Sequence, residues 1–263
     1  MNDEFTYAVI GLAMEVHREL GPGLDERFYH ELLSSKLTAA GLMHLSRPRR
    51  ELIHCGLVAD VFEPDIVFQE KLVLELKCLT GGFDGEHFLQ LICYLKFWKI
   101  KVGLLFDFGK ESLSYRRIEF TEPSFDMPDG DTMLAGLSGE VARAAGTRIH
   151  KAIDNLLASH GLGYRDTTYG GLLATELRAR GGRCLSDVSA AVHCGGVTLG
   201  QVTCPCLLVD ELIAVRVLAL RHSIGAADTA RLRTYLRLLK ASCGLILNFN
   251  RSALEFRWVG GPG

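Results

Sequence analysis

The sequence predicts an α/β protein made of two tandem copies of one domain, each copy a mixed central sheet flanked by helices. Three observations predict it. Residues 1–120 carry apolar residues spaced in the order α-α-β-β-β-α-β-β. The same pattern returns at an offset of 140 to 141 residues. Between the two lies an aperiodic stretch, 121–140, with Pro123, Pro128 and Asp129-Gly130-Asp131. The expected organisation is a first domain at 1–120, an acidic linker at 121–140 and a second domain at 141–260.

Each element has a local cause. Glu4 to Leu20 places Ala8, Ile10, Leu12, Met14, Val16 and Leu20 at helical spacing, and Gly21-Pro22-Gly23 ends the run. A second helix from about Leu24 to Ala40 carries Phe28, Leu32, Leu33 and Leu37 and closes at Gly41. Residues 43–55 and 57–68 read as strands turning at Gly56, and 71–79 extends the sheet. Phe83 to Trp98 is helical in pattern, Lys101 to Phe108 is an apolar strand, and Ser112 to Phe120 is another. In the second half, Gly23, Glu26 and Tyr29 return as Gly163, Asp166 and Tyr169; Tyr94-Leu95-Lys96 returns as Tyr235-Leu236-Arg237. Gly103 to Phe108 returns as Gly244 to Phe249.

Composition narrows the class. Hydrophobic residues make up 48% of 263, enough for a packed core and too many for a disordered chain. No apolar run reaches the ~18 residues of a membrane span. The acidic start, Met1-Asn2-Asp3-Glu4, lacks the basic segment of a secretory leader, so a cytoplasmic protein is expected. Eight cysteines without framework spacing suit a reducing compartment. Cys204-Pro205-Cys206, near His193 and Cys194, departs from C-x-x-C spacing and sits in apolar, strand-like surroundings, which argues against zinc there. The net charge of −2 is unevenly spread: −4 over 1–120, −5 over 121–140 and +7 over 141–263. That asymmetry points to a polyanionic partner for the second half.

The stretch richest in chemistry runs from Pro64 to Lys77. Ile66-Val67-Phe68 and Leu72-Val73-Leu74 are apolar strand runs around Gln69-Glu70-Lys71. Three charges interrupt them, Asp65, Glu75 and Lys77. A charge on a buried strand needs a partner or a metal, since desolvating it alone costs several kcal/mol. Glu75 and Lys77 are two apart and leave one face of the strand, and a hairpin brings Asp65 alongside. Two carboxylates and an ammonium on one face suit a hard divalent cation and a phosphate; a salt-bridged sheet face is the plainer reading. In the second half Asp65 falls on Cys206 and Gln90 on Arg231. With a one-residue gap in the turn, Glu75 falls on Val215 and Lys77 on Val217. A pair needed only by the fold would be expected in both copies.

At these residues the chain resembles the GxxExxY proteins, a branch of the PD-(D/E)xK nuclease superfamily. The resemblance rests on Ala13 to Gly23, Gly23-x-x-Glu26-x-x-Tyr29, Pro64-Asp65, Glu75-x-Lys77, Gln90-Leu91-x-x-Tyr94-Leu95-Lys96 and Gly103 to Phe108. It implies two tandem nuclease-like domains forming an intramolecular pseudo-dimer, with the motif intact in the first copy and degenerate in the second. It further implies Mg²⁺, or Mn²⁺ in its place, held by Asp65, Glu75 and Glu26. Lys77 would steady the attacking water or the developing charge, and Gln90 would orient Lys77 or the water. The implied partner is nucleic acid, DNA ahead of RNA, with no membrane. Charge near a helix start is the rival reading of Glu26, and buried core tyrosines that of Tyr29 and Tyr94. His17, His30 and His54 form no ligand spacing, and His87, three residues before Gln90, faces either the site or solvent. Arg47-Pro48-Arg49-Arg50 is a basic run that meets either a phosphate backbone or solvent. The alternatives to a nuclease are an inactive nucleic-acid- or protein-binding module and a structural scaffold.

Overall fold

The structure is a computed structural model that describes residues 3–125, 129–135, 137, 139–219, 222–250 and 253–260. Met1, Asn2 and the linker's Pro128 lie outside these. The chain divides into two compact units, Met1–Leu52 with Val61–Thr121, and Ile53–Asp60 with Glu122–Gly263.

In the first unit, helices α1 (Asp3–Leu20) and α2 (Glu26–Ala39) precede strands β1 (Leu45–Ser46), β2 (Arg50–His54), β3 (Leu57–Phe62), β4 (Ile66–Phe68) and β5 (Leu72–Lys77). Helix α3 (Gly85–Trp98), β6 (Val102–Asp107) and β7 (Ser114–Glu119) complete it. The sheet order is β1-β4-β5-β6-β7. Only β5 and β6 run parallel, because the α3 crossover joins them; the other neighbours pair antiparallel. Leu72, Leu74 and Leu76 of β5 pack with Leu104 and Phe106 of β6 and with Val9, Ala13, Val16, Leu33 and Leu37 of α1 and α2. The opposite face receives α3, where Leu91 lies so close to Gly103 that a Cβ would stand 2.8 Å from its methyl. Asp84 caps α3 by accepting from the backbones of Glu86 at 2.9 Å and His87 at 3.1 Å.

The expected strand 43–55 is broken at Arg47-Pro48, and 57–68 at Glu63-Pro64-Asp65. Arg47 has φ 45°, and Pro64 has no N–H to give a ladder. The pieces β2 and β3 form a separate two-stranded hairpin, whose outer segment Ile53–Asp60 groups with the second unit.

The second unit contains α4 (Gly130–Leu134), α5 (Glu140–His160), α6 (Asp166–Ala179), β8 (Cys184–Cys194), β9 (Val197–Val209), β10 (Ile213–Leu218), α7 (Ala226–Leu239), β11 (Cys243–Phe249) and β12 (Leu254–Gly260). Its sheet runs β12-β11-β10-β9-β8, again with one parallel pair, β10 and β11, bridged by a helix. The short helix α4 falls within the stretch expected to be irregular: Met133 is buried and its carbonyl accepts from Trp258 Nε1 at 2.6 Å.

The two units repeat one local geometry. Tyr29 Oη donates to the Gly21 carbonyl at 2.6 Å, accepts from Leu24 N at 3.2 Å and stacks on Phe108 at 4.7 Å. Tyr169 does the same with Gly161 (2.9 Å), Tyr164 N (3.3 Å) and Phe249 (4.0 Å). Both tyrosines are fully buried and tie a glycine turn to a helix, the core role. Left-handed residues recur in step: Arg47 and Asp187, Glu70 and Glu211, Lys99 and Lys240.

Tyr29→Phe leaves the Gly21 carbonyl without its donor, and we expect a loss of about 1–3 kcal/mol in urea unfolding. An unchanged midpoint and slope would show the hydroxyl to be idle.

Candidate metal centre

The centre of the first unit is built where β4 and β5 begin and end. The β4–β5 ladder stops at Ile66 opposite Leu74. Beyond it, the Leu76 N–H donates to Asp65 Oδ2 at 2.8 Å, so the carboxylate takes over from the ladder. The Asp65 carbonyl is held from the other side by Arg47 N at 2.8 Å and meets His30 Nε2 at 3.1 Å. Asp65 is therefore clamped at backbone and side chain, and is 8% exposed.

Glu75 lies in the middle of β5, opposite Leu105 of β6, and is only 3% exposed. Lys77 Nζ donates to Glu75 Oε1 at 2.6 Å. Glu75 Oε2 is buried with no hydrogen-bond partner. Glu26, in the first turn of α2, joins the group: its carboxyl is pushed up by burial, lowered by Lys77 and raised again by Asp65. Burial pushes the Glu75 carboxyl up to about 8, aided by Asp65 and only partly opposed by Lys77. Burial pulls Lys77 down, yet Glu75, Glu26 and Asp65 together hold it above its ordinary value. Three carboxyls thus share the Lys77 ammonium and the more distant Arg47 guanidinium, and negative groups outnumber positive ones. A divalent cation held here would add positive charge, and the donors present are all oxygen, as hard cations prefer.

Gln90 is placed differently from Asp65, Glu75, Lys77 and Glu26. Its amide donates to Tyr94 Oη at 3.0 Å, and Tyr94 donates to the Glu63 carbonyl at 3.3 Å. It reaches the turn before Asp65 through Tyr94, and among the described residues it hydrogen-bonds neither Lys77 nor a carboxylate. His87 completes the α3 cap: its Nδ1 accepts from Asp84 N at 3.1 Å. Arg47 is the residue that spacing did not single out. Its Nε stands 4.0 Å from Asp65 Oδ1, and it acts on Glu26 by charge. Within the basic run, Arg49 meets Glu63 at 4.0 Å and Arg50 lies over Trp98. The run itself was legible; its division among three partners was not.

In the second unit the strand register corrects the expected alignment. Val73 pairs with Gly103 and Ala214 with Gly244; Phe68 pairs with Leu72 and Val209 with Ile213. The two turns are equal in length, so no gap exists there. Glu75 corresponds to Arg216, not Val215, and Lys77 to Leu218, not Val217. Arg216 is buried and binds Asp228 Oδ1 at 3.0 Å. Cys206, at the Asp65 position, has its thiol pushed up to about 12 by burial. Neither residue offers an ionised oxygen to a metal.

The profile of the PD-(D/E)XK nuclease superfamily matches residues 3–118 and again 143–259. The chain belongs to this superfamily. PD-(D/E)XK nucleases generally use divalent metals, and the oxygen donors and orphaned Glu75 Oε2 fit such an ion. No curated protein matches the chain. Among solved structures, the crystal structure of SSO0001 aligns at 14% identity over 44% of this chain and 61% of that one, with a TM-score of 0.27. Among the described residues, no helix is long and apolar enough to cross a membrane.

The raised carboxyl has a signed consequence. Folded protein keeps a proton on Glu75 that the unfolded chain, with its ordinary value near 4.5, has released. The resulting stability is fully present below that value and is lost as pH rises toward about 8. In chelator, Glu75→Gln should flatten the fall across this window by up to about 1.4 kcal/mol per pH unit, read by urea unfolding. A variant with the wild-type slope would assign the proton to another group, Glu26 first.

Proposed function

We propose that the first unit is a divalent-metal-dependent nuclease, with its active site at Asp65, Glu75, Lys77 and Glu26. The observation that carries this reading is the buried, partnerless Glu75 Oε2 beside Asp65 and Lys77. Asp65, Glu75 and Glu26 would hold Mg²⁺ or Mn²⁺. When bound, such an ion neutralises phosphate charge and lowers the pKa of water. Lys77 keeps its proton and directs it at the attacking water or the developing negative charge. Gln90 acts as a positioning residue through Tyr94 and the backbone before Asp65. The resulting reaction is hydrolysis of a phosphodiester in nucleic acid, with DNA the first substrate to test.

The second copy is read as degenerate and non-catalytic, since Cys206, Arg216 and Leu218 replace the trio. Its role is to engage the phosphate backbone, supported by the basic side chains that α7 and its C-cap carry, Arg231, Arg233, Arg237 and Lys240. This also supports the rival reading, a binding module whose first site is vestigial.

Purified protein incubated with single- and double-stranded DNA and RNA should cleave in Mg²⁺ or Mn²⁺ and not in chelator. Lys77→Ala should lower the rate by about 10²–10³-fold. Cleavage that survives this substitution rejects the site, and metal-independent binding without cleavage selects the rival. Changing Arg231, Arg233 and Arg237 to Gln should reduce the slope of log affinity against log salt by about 0.9 for each duplex phosphate no longer neutralised. An unaltered slope would remove α7 from the interface.

A further inference from the structure

A second cluster of ligand-type side chains lies wholly within the second unit and shares no residue with the centre above. The β2–β3 turn carries His54-Cys55-Gly56, and its segment, Ile53–Asp60, lies against α6. Gly171 allows the approach: a Cβ there would stand 1.9 Å from the Ala59 carbonyl oxygen. Toward the start of α6, Thr168 donates to Asp60, and Arg165 pairs with the same carboxylate at 3.4 Å. Further along the helix, Glu176 meets the turn. Its Oε2 is 2.9 Å from His54 Nε2 and accepts from Cys55 Sγ at 2.8 Å. The three ligand atoms all lie within 4.8 Å of one another.

Two features separate this cluster from an ordinary ion pair. The His54 side chain is 9% exposed, yet its Nε2 makes no aligned hydrogen bond despite its nearness to Glu176. The neighbours also orient two of the three donors, Glu176 and His54. Glu176 Oε1 is taken by Asn155 Nδ2 and Arg180 Nε, each at 2.7 Å, which leaves Oε2 turned to the histidine and cysteine. His54 Nδ1 faces His160 Nε2 at 3.0 Å. With the proton on Nδ1 and donated to His160, His54 presents a lone pair at Nε2. An outer hydrogen bond of this kind fixes the tautomer and ring orientation of a metal-bound imidazole, here with a histidine in place of the usual carboxylate or carbonyl. Cys55 is exposed and leaves a path of entry.

We propose that His54 Nε2, Cys55 Sγ and Glu176 Oε2 bind a borderline-soft divalent cation, Zn²⁺ by its donor set, which clips the hairpin turn to α6. Nitrogen, sulfur and oxygen donors select such an ion over Mg²⁺, and three protein ligands leave a fourth position for water. Binding expels the thiol proton to solvent as the metal–sulfur bond forms. The internal repeat limits the site to one per chain. At the 140-residue offset Glu176 corresponds to Lys36, which pairs with Glu15 at 3.3 Å. His193-Cys194 repeats the dipeptide, but His193 meets Thr198 Oγ1 at 3.0 Å.

The test is titration of reduced, chelator-stripped full-length protein with Co²⁺ alone, followed by displacement with Zn²⁺. An oxygen-only centre gives no thiolate-to-cobalt charge-transfer band, so the Asp65 site is silent in this readout. The expected result is such a band saturating at one equivalent, abolished by Cys55→Ser, weakened by Glu176→Gln and retained in Cys194→Ser. Zn²⁺ should raise the melting temperature of wild type and of Cys194→Ser by more than that of Cys55→Ser, in which the Asp65 centre is intact. Cys55 is exposed in a turn, so Cys55→Ser is expected to fold, with circular dichroism as the check. Absence of the band in wild type, or its persistence in Cys55→Ser, overturns the proposal.

Discussion

A carboxylate on the middle strand of a sheet packed on both faces is the constraint that shapes the first unit. Glu75 is nearly inaccessible, and one of its oxygens lacks a hydrogen bond. Removing a charge from water costs several kcal/mol, and an adjacent lysine returns only part of it. A fold that needed merely to be stable would place leucine or valine there. The surroundings instead increase the strain: Asp65 and Glu26 add negative charge beside the same ammonium. The Leu76 amide, the Arg47 amide and the Tyr94 chain then fix the turn that presents Asp65. Rigid support for an unstable charge cluster is what the proposed metal site needs and what a purely apolar core does not.

The second unit shows the alternative solution at the same strand position. Arg216 occupies the place of Glu75 and is met by Asp228 from the first turn of α7. Among the described residues its guanidinium pairs with one carboxylate, that of Asp228. Burial is tolerated because the pair is complete. Sheet order and the tyrosine-to-glycine bond are the same in both units, so the fold itself does not require the carboxylates.

Much of this was legible in the sequence. Apolar spacing located α1, α2, α3, β5 and β6 to within about two residues, because long periodic runs dominate local propensity. Asp65, Glu75 and Lys77 stood out because polar residues interrupt an otherwise buried run. The misalignment of Glu75 with Val215 arose from inserting a gap in a turn. Strand side chains alternate with period two, so a slip of one residue exchanges the faces. The single-residue change in offset lies earlier, between the 140-residue spacing of Gly56 and Gly196 and the 141-residue spacing of Pro64 and Pro205. That interval includes β9, where Gly200 has φ 149°. Arg47 was hidden for another reason: a left-handed backbone aims it, and a basic run gives no hint of which arginine turns inward.

The histidine–cysteine–glutamate cluster was beyond sequence reasoning, since 121 residues separate Cys55 from Glu176. Spacing rules detect ligands that share a helix turn or a hairpin, not a hairpin turn meeting a distant helix. The repeat makes the cluster intelligible after the fact. Position 36 in the first copy and 176 in the second hold opposite charges, and each is met from the preceding helix, by Glu15 in one case and Asn155 in the other. Reversing the charge at one helix position, with Glu15 replaced by Asn155 on the preceding helix, puts a carboxylate facing an imidazole and a thiol where the first copy has a half-buried ion pair. The same operation in the opposite sense, Glu75 against Arg216, separates the two strand sites. These two charge reversals on a shared backbone, with the loss of Asp65 and Lys77 to Cys206 and Leu218, leave the two units with donor groups of different hardness.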